Sequence, residues 1–552
     1  MTLITRRGAL GGMAATLALP QAALAARDSL RASTRADNLR VSTRTDNLRV
    51  STRTDNLRVS TRTDNLRVST RGGVVRGHLA DGVRVFTGIP YGTAARFAPP
   101  RPARPWTGEW DATRPARAAP QPPGMDPLPA IQAEDCLQLN IWAPAAPGRY
   151  PVMVFVHGGS NETGWSGWEV IAGNRFAAHG VICVTLNYRL GALGFVELGH
   201  VLGRAYAGSG NNGLRDLVLG LRWVKDNIAA FGGNPRAVTL AGESSGARNV
   251  CALLGLPAAD GLYARAMVFS GGAQTVHTPA EAAAFANGVV ARLGGADRLL
   301  VAPFPALIEA QVAARRGWPR NLPFRPTVDG AFLPQVPLAR VLAGQAPRVP
   351  LLAGSNANES RLFLSEAQAA RPLWSQSVSN ETMARMAALN RAYARAFPEF
   401  TDAQRHWRLL TAEEYGIPTL RLAEAQAARG APVWRYRLAW PAPGGPYKGH
   451  SPHVLDLPLT FDHVTLPSMA QMFGLSGADQ PIATAWHEAI LAFVRGGAPA
   501  SPGMPAWPRF DSATRATMVF DRVSVVENDP DGAERLLWLQ TPGEPVSAAG
   551  RR

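Results

Sequence analysis

The pentapeptide Gly242-Glu243-Ser244-Ser245-Gly246 sets a hydroxyl between two glycines. The apolar run Ala237–Ala241 precedes it, and a helix-compatible stretch follows from Ala247. In a GxSxG turn between strand and helix, the central serine sits at the tip of a sharp, strained bend. Its Oγ is there presented for attack on a carbonyl carbon. Backbone crowds such a bend, which is why glycines flank it. The N–H of Ser245 points into the same space as the Ser244 hydroxyl. Ser245 occupies the second variable position, so it cannot be the nucleophile in this register. A bare GxSxG also reads as an ordinary Gly/Ser loop; the flanking strand and helix favour the reactive turn.

A second segment could complete that chemistry. Val152–Val156 runs into His157-Gly158-Gly159-Ser160, and a Gly-rich turn after a strand can aim backbone N–H groups at a developing oxyanion. Each such donor contributes about 2.7–4 kcal/mol to the transition state. Alone, the segment reads equally as a plain turn; together with the serine turn it points to acyl transfer. Cys136, Cys183 and Cys251 show no CxxC or Cys/His spacing, so neither a metal nor an organic cofactor is expected.

The elements that must position these groups alternate. Val152–Val156, Val181–Leu186 and Ala237–Ala241 are strand-like. Leu214, Leu217, Val218, Leu221, Val224 and Ile228 recur at the three- and four-residue spacing of an amphipathic helix. Such alternation from Val74 onward predicts an α/β fold, a mostly parallel central sheet with helices on both faces. The 552 residues are 46% apolar and 18% charged, a globular balance. Outside the N-terminus no run approaches the roughly 18 apolar residues of a membrane span. The net charge of +16 does not predict nucleic-acid binding. Residues 1–71 carry thirteen Arg against five Asp, half of that excess, and the remainder is dispersed Arg with only two lysines.

Residues 1–25 read as an export signal. Arg6-Arg7 precede an apolar stretch to Leu19, and Ala23-Leu24-Ala25 offers a cleavage site. The Arg pair resembles a twin-arginine signal, with the general secretory route as the alternative. Export machinery is thus an expected partner, and a periplasmic or secreted location follows. Ser33–Val41 reads STRADNLRV, and three copies of STRTDNLRV follow to Val68. Each copy offers too little apolar surface to offset the entropy of ordering it. Residues 26–72 are therefore expected to be a solvated spacer, 73–540 the folded domain and 541–552 a flexible tail.

Several long stretches, in order, resemble the type-B carboxylesterase family of α/β-hydrolases, which includes para-nitrobenzyl-esterase-like enzymes and cholinesterases. They are FTGIPYG at Phe86–Gly92, EDCLQLNIW at Glu134–Trp142, HGGS, NYRLGALGF at Asn187–Phe195, the segment Gly213–Pro235, and GESSG. The resemblance implies the α/β-hydrolase fold and a Ser-Glu-His triad in which Ser244 is nucleophile. Glu359, in Gly354-Ser355-Asn356-Ala357-Asn358-Glu359-Ser360, would be the acid; from the residues alone a solvated loop glutamate is the better reading. His453, at the offset to Leu455-Asp456-Leu457-Pro458 that the family's motif has, would be the base, in preference to His450 and His463. The N–H groups of Gly159, Ser160 and Ser245 would form the oxyanion hole. Ser270 would support the acid, or serve as a plain core hydroxyl.

Departures from the family limit what transfers. No cysteine precedes Cys136, so the family's usual disulfide there cannot form within this chain. The loop Asp111–Ala133 contains no Trp, which disfavours choline esters because they need an aromatic cation–π partner. Ser245 stands where Ala is commoner. The expected activity is hydrolysis of small soluble esters through an acyl-enzyme. The alternatives are a lipase-like or other ester or lactone hydrolase, in which Pro372–Phe397 could cover the site, and a non-catalytic binding member of the fold.

Overall fold

The computed structural model describes residues 66–541 apart from 125–128, 130 and 374–377. The expected signal peptide, most of the repeats and the tail from 542 lie outside the described residues. Two small sheets precede or flank the main one: β1 (Arg67–Thr70), β2 (Gly73–Arg76) and β7 (Glu109–Asp111) form one, and β5 (Gly92–Thr93) pairs with β6 (Arg101–Pro102). Among the described residues the main sheet has eleven strands. In chain order they are β3 (His78–Ala80), β4 (Val83–Pro90), β8 (Gln138–Pro144), β9 (Tyr150–Val156), β10 (Ile182–Leu186) and β11 (Gly233–Glu243), then β12 (Arg265–Phe269), β13 (Leu351–Asn356), β14 (Val433–Leu438), β15 (Ala516–Phe520) and β16 (Val525–Asn528). Their spatial order is β16-β15-β14-β13-β12-β11-β9-β10-β8-β4-β3. Every pairing from β10 through β9 and β11 to β15 is parallel, and antiparallel pairs occur only towards the edges.

Alternation along the strands builds the two helix-covered faces. On β9, Val152, Val154 and Val156 enter one apolar core while Met153 and Phe155 enter the other. On β12, Ala266 and Val268 divide from Met267 and Phe269 in the same way. Helix Asn212–Asn227 buries the apolar stripe read from sequence. This is the α/β-hydrolase architecture expected from the sequence.

The start of the folded region needs correction. The spacer was expected to reach Gly72, yet β1 begins at Arg67 and pairs antiparallel with β2 through Val68↔Val75. Val68 is buried in the larger core, and Arg67 and Arg71 bridge to Glu109 and Asp226. One isolated repeat cannot bury its valine, but the last copy finds a preformed edge at β2. The described part of the segment 372–397 is packed. Its helix Met383–Ala396 buries Met386, Leu389 and Tyr393 in a cluster with Trp538.

In a chain lacking residues 33–59, Val68→Asp should lower the melting temperature by several degrees. Burying valine contributes about 1.5–3 kcal/mol, a buried unpaired carboxylate adds a further cost, and a kilocalorie moves the midpoint of a domain of this size by about 1 °C. The deletion alone should leave the midpoint unchanged, as thermal unfolding will show.

Candidate functional site

Parallel strands deliver the candidate groups to one edge of the sheet, beyond their carboxyl ends. β11 ends at Glu243, and Ser244 takes φ 56°, ψ −124° before helix Ser245–Leu254 begins. The helix starts two residues earlier than expected because the left-handed serine has already turned the chain. The Ser244 N–H donates to Phe269 O on neighbouring β12 (3.0 Å), and its carbonyl accepts from Arg248 N–H (3.0 Å). A Cβ on Gly242 would come within 2.6 Å of the Gly246 carbonyl carbon, and one on Gly246 would strike the Val156 carbonyl. The turn therefore requires both glycines.

The His157–Ser160 loop leaves the end of β9 beside this turn. A Cβ on Gly158 would lie 3.0 Å from Ser244 Cβ and 2.7 Å from a Glu243 carboxylate oxygen. Gly159, Ser160 and Asn161 all have positive φ, at 102°, 60° and 57°. Their left-handed run folds the loop back, with Glu162 and Thr163 N–H groups donating to Gly159 O. Neither the Gly159 nor the Ser160 N–H takes part in this closure.

The acid and the imidazole arrive on two later loops. Glu359 follows β13, and its Oε1 accepts from the Ser270 hydroxyl and from Asn356 N–H, both at 2.6 Å. Its Oε2 lies 2.5 Å from His453 Nδ1. Asn356 Nδ2 donates to Pro452 O (2.7 Å), which ties the two loops together. Ser270, left open between two readings, touches the carboxylate directly. All four groups are buried. Val454, immediately after the imidazole, is held at φ 74°, a costly conformation for a β-branched residue.

His453 Nε2 faces Glu243, whose Oε1 is 3.1 Å away but not aligned as a hydrogen bond. Sequence reasoning passed over Glu243, although it stands inside the pentapeptide. Burial opposes the imidazolium, but Glu243 and Glu359 outweigh it and raise His453 to about 9. Burial raises Glu243 to about 8, with His453 opposing. Each group acts on the other's charge, so the two titrate together. Asp456 is also raised, to about 7, by burial and by Glu359. Tyr415 was missed as well: its ring stacks 4.6 Å from His453, and Phe363 lies 5.3 Å away. No sequence signal marked it, because a π-helix at Ala412–Gly416 brings it there.

The rival histidines lie elsewhere. His450 is half-buried at a cavity of about 370 Å³ whose lining includes neither Ser244 nor His453. His463 bonds to Val170 O and Asn174 Oδ1, both nearly three hundred residues away in the chain. Cys136, Cys183 and Cys251 are free and buried.

The carboxylesterase family model matches residues 64–534. The chain belongs to the carboxylesterase family. It is 34% identical over 491 residues to the para-nitrobenzyl esterase of Bacillus subtilis (strain 168), covering 86% of this chain and 98% of that one. It is 31% identical over 462 residues to the fumonisin B1 esterase of Sphingopyxis macrogoltabida, covering 80% and 83%. The crystal structure of a Geobacillus stearothermophilus carboxylesterase matches with a TM-score of 0.76 and 36% identity, over 86% of this chain and all of that one. This carboxylesterase is a carboxylic ester hydrolase.

Glu243→Gln tests the electrostatics. Removing the anion facing Nε2 lowers the His453 pKa, and the neutral imidazole then persists to more acidic pH. The acid limb of kcat/KM, which reports the free enzyme, should move down by about one pH unit, equivalent to about 1.4 kcal/mol of charge interaction. A limb that stays in place, or moves up, would refute this assignment.

Proposed function

We propose that this carboxylesterase hydrolyses small soluble esters through a covalent acyl-enzyme. Ser244 Oγ attacks the ester carbonyl while His453 Nε2 takes its proton. Glu359 orients the imidazole through Nδ1 and stabilises its cation. The carbonyl oxygen becomes an oxyanion against the N–H groups of Gly159, Ser160 and Ser245. The C–O bond to the alcohol breaks, and His453 returns the proton to the leaving oxygen. Water, deprotonated by His453, then attacks the acyl carbon and releases the acid with Ser244 restored.

The observation that carries this reading is the Glu359–His453 Nδ1 contact at 2.5 Å, which leaves Nε2 facing the Glu243-Ser244 turn. His453 Nε2 makes no hydrogen bond. Bonds of this kind often tighten only in the Michaelis complex. The packed helix Met383–Ala396 favours soluble esters over a lipase with a mobile cover. Residues 1–25 support export to the periplasm or medium with removal after about Ala25, which N-terminal sequencing of the secreted form will check.

A fluorophosphonate probe should label Ser244 and nothing else in the folded enzyme. Ser244→Ala and His453→Ala should each lose about 10⁴–10⁶ in kcat, because triad members act as one unit. His450→Ala and His463→Ala should lose less than about tenfold on the same scale. Activity should survive EDTA, since no step uses a metal. A preference for emulsified over dissolved esters would favour the lipase reading instead.

A further inference from the structure

Asn161 is the anchor of the left-handed loop. Its carbonyl accepts from Gly191 N–H (2.7 Å), and its Nδ2 donates to Phe324 O (3.0 Å). Its Oδ1 accepts from Asn249 Nδ2 (2.8 Å) and from the Tyr188 hydroxyl (3.3 Å). The one remaining group, its backbone N–H, donates to Ser245 Oγ (3.1 Å). Asn161 is 3% and Ser245 2% exposed, so bulk solvent does not reach that bond.

From this geometry we infer that the Ser245 hydroxyl is a positioning group for the oxyanion site. The inference rests on the acyl-enzyme reading above. One residue would then hold all three donors in register: its own N–H is one, and its side chain fixes the loop that carries Gly159 and Ser160. An alanine at 245 keeps the N–H but orphans the buried Asn161 donor. Ser160 and Asn161, at φ 60° and 57°, would lose a restraint on a strained backbone. Displaced donors weaken binding of the oxyanion, which exists only at the transition state, and leave ground-state binding intact.

Ser245→Ala, with unchanged melting, should lower kcat about tenfold and leave KM within about twofold. Affinity for an aryl trifluoromethyl ketone, whose adduct with serine carries the oxyanion, should fall by the same factor. Ser245→Thr, which keeps the hydroxyl, should recover most of kcat. Unchanged kcat and ketone affinity in Ser245→Ala would overturn the inference, as would a raised KM at constant kcat. Ser244→Ala is run beside it. If that variant is inactive while Ser245→Ala behaves as wild type, only this inference fails; if Ser244→Ala remains active, the underlying reading fails first.

An independent observation concerns the repeats. The β1 region Leu66-Arg67-Val68-Ser69-Thr70-Arg71 recurs unchanged as Leu57–Arg62, Leu48–Arg53 and Leu39–Arg44. Each residue that holds β1 is present in every copy. These are the valine that is buried, the Arg pair that bridges to Glu109 and Asp226, and the threonine whose hydroxyl donates to Gly73 O. We propose that the position beside β2 accepts a preceding copy of the same chain when the last one is defective. The connection to β2 then grows by one nonapeptide, and closure entropy rises only with the logarithm of loop length.

Ser69 faces Val74 in the β1–β2 register, and Ser60 is its counterpart one repeat earlier. In the full chain carrying Val68→Asp, Ser60→Cys and Val74→Cys should form an intramolecular disulfide on mild oxidation. With Val68 intact, the same pair should form little. Val68→Asp should also lower the melting temperature less in the full chain than in one lacking residues 33–59. Absence of the 60–74 bond, a covalent dimer in its place, or equal destabilisation in both chains would overturn the proposal.

Discussion

A serine does not hold φ 56°, ψ −124° by its own preference, and the geometry of the site depends on that one strained residue. The conformation persists because its surroundings over-determine it. Neighbouring β12 accepts the Ser244 N–H, helix Ser245–Leu254 returns a bond to its carbonyl, and glycines on either side admit the close backbone approach. The central strand carries the strain: β11 lies between β9 and β12, paired in parallel to both. From β9 comes the His157–Ser160 loop, and from β12 comes Ser270, which supports Glu359. The groups converge because strands that are neighbours in the sheet end at the same edge.

The same enclosure sets the electrostatics. Glu243, Glu359 and Asp456 crowd one imidazole, and all four groups are buried. Desolvation alone would make each carboxylate keep its proton and the histidine shed its own. The Ser270 hydroxyl and the Asn356 N–H both donate to Glu359, which holds its carboxyl against Nδ1. Glu243 Oε1 has no such donor and faces Nε2 at 3.1 Å without an aligned hydrogen bond. An imidazole anchored at Nδ1 and facing a second carboxyl at Nε2 is suited to moving a proton through Nε2.

Much of this was legible in the sequence because the decisive signals are local. Gly242 and Gly246 declare a tight turn, and the helix from Asn212 shows its apolar stripe at helical spacing. His453 was separable from His450 only by its offset from a family motif, and Glu359 had no local signature at all. What remained hidden is carried by long-range packing. Glu243 stood in plain view, but its position beneath Gly158 and against His453 follows from two loops meeting across the sheet edge. The last repeat copy looked like its predecessors, and nothing within it reveals that β2 offers an edge. His463 illustrates the same gap, since partners nearly three hundred residues away satisfy it.

The π-helix at Ala412–Gly416 shows how such packing reaches the chemistry. One extra residue per turn, inserted between helices Asp402–Thr411 and Ile417–Ala427, changes which side chains share a face. Tyr415 is thereby stacked on His453, while Glu414 pairs with Arg248 (3.0 Å), one turn beyond Ser244. Glu413 accepts the N–H groups of Ser379, Asn380 and Glu381, which closes the adjoining loop around a buried carboxyl. Arg248 also lies over the Tyr415 ring, 5.2 Å from its centroid. The serine turn and the imidazole therefore share one brace, and a displacement of that brace moves both.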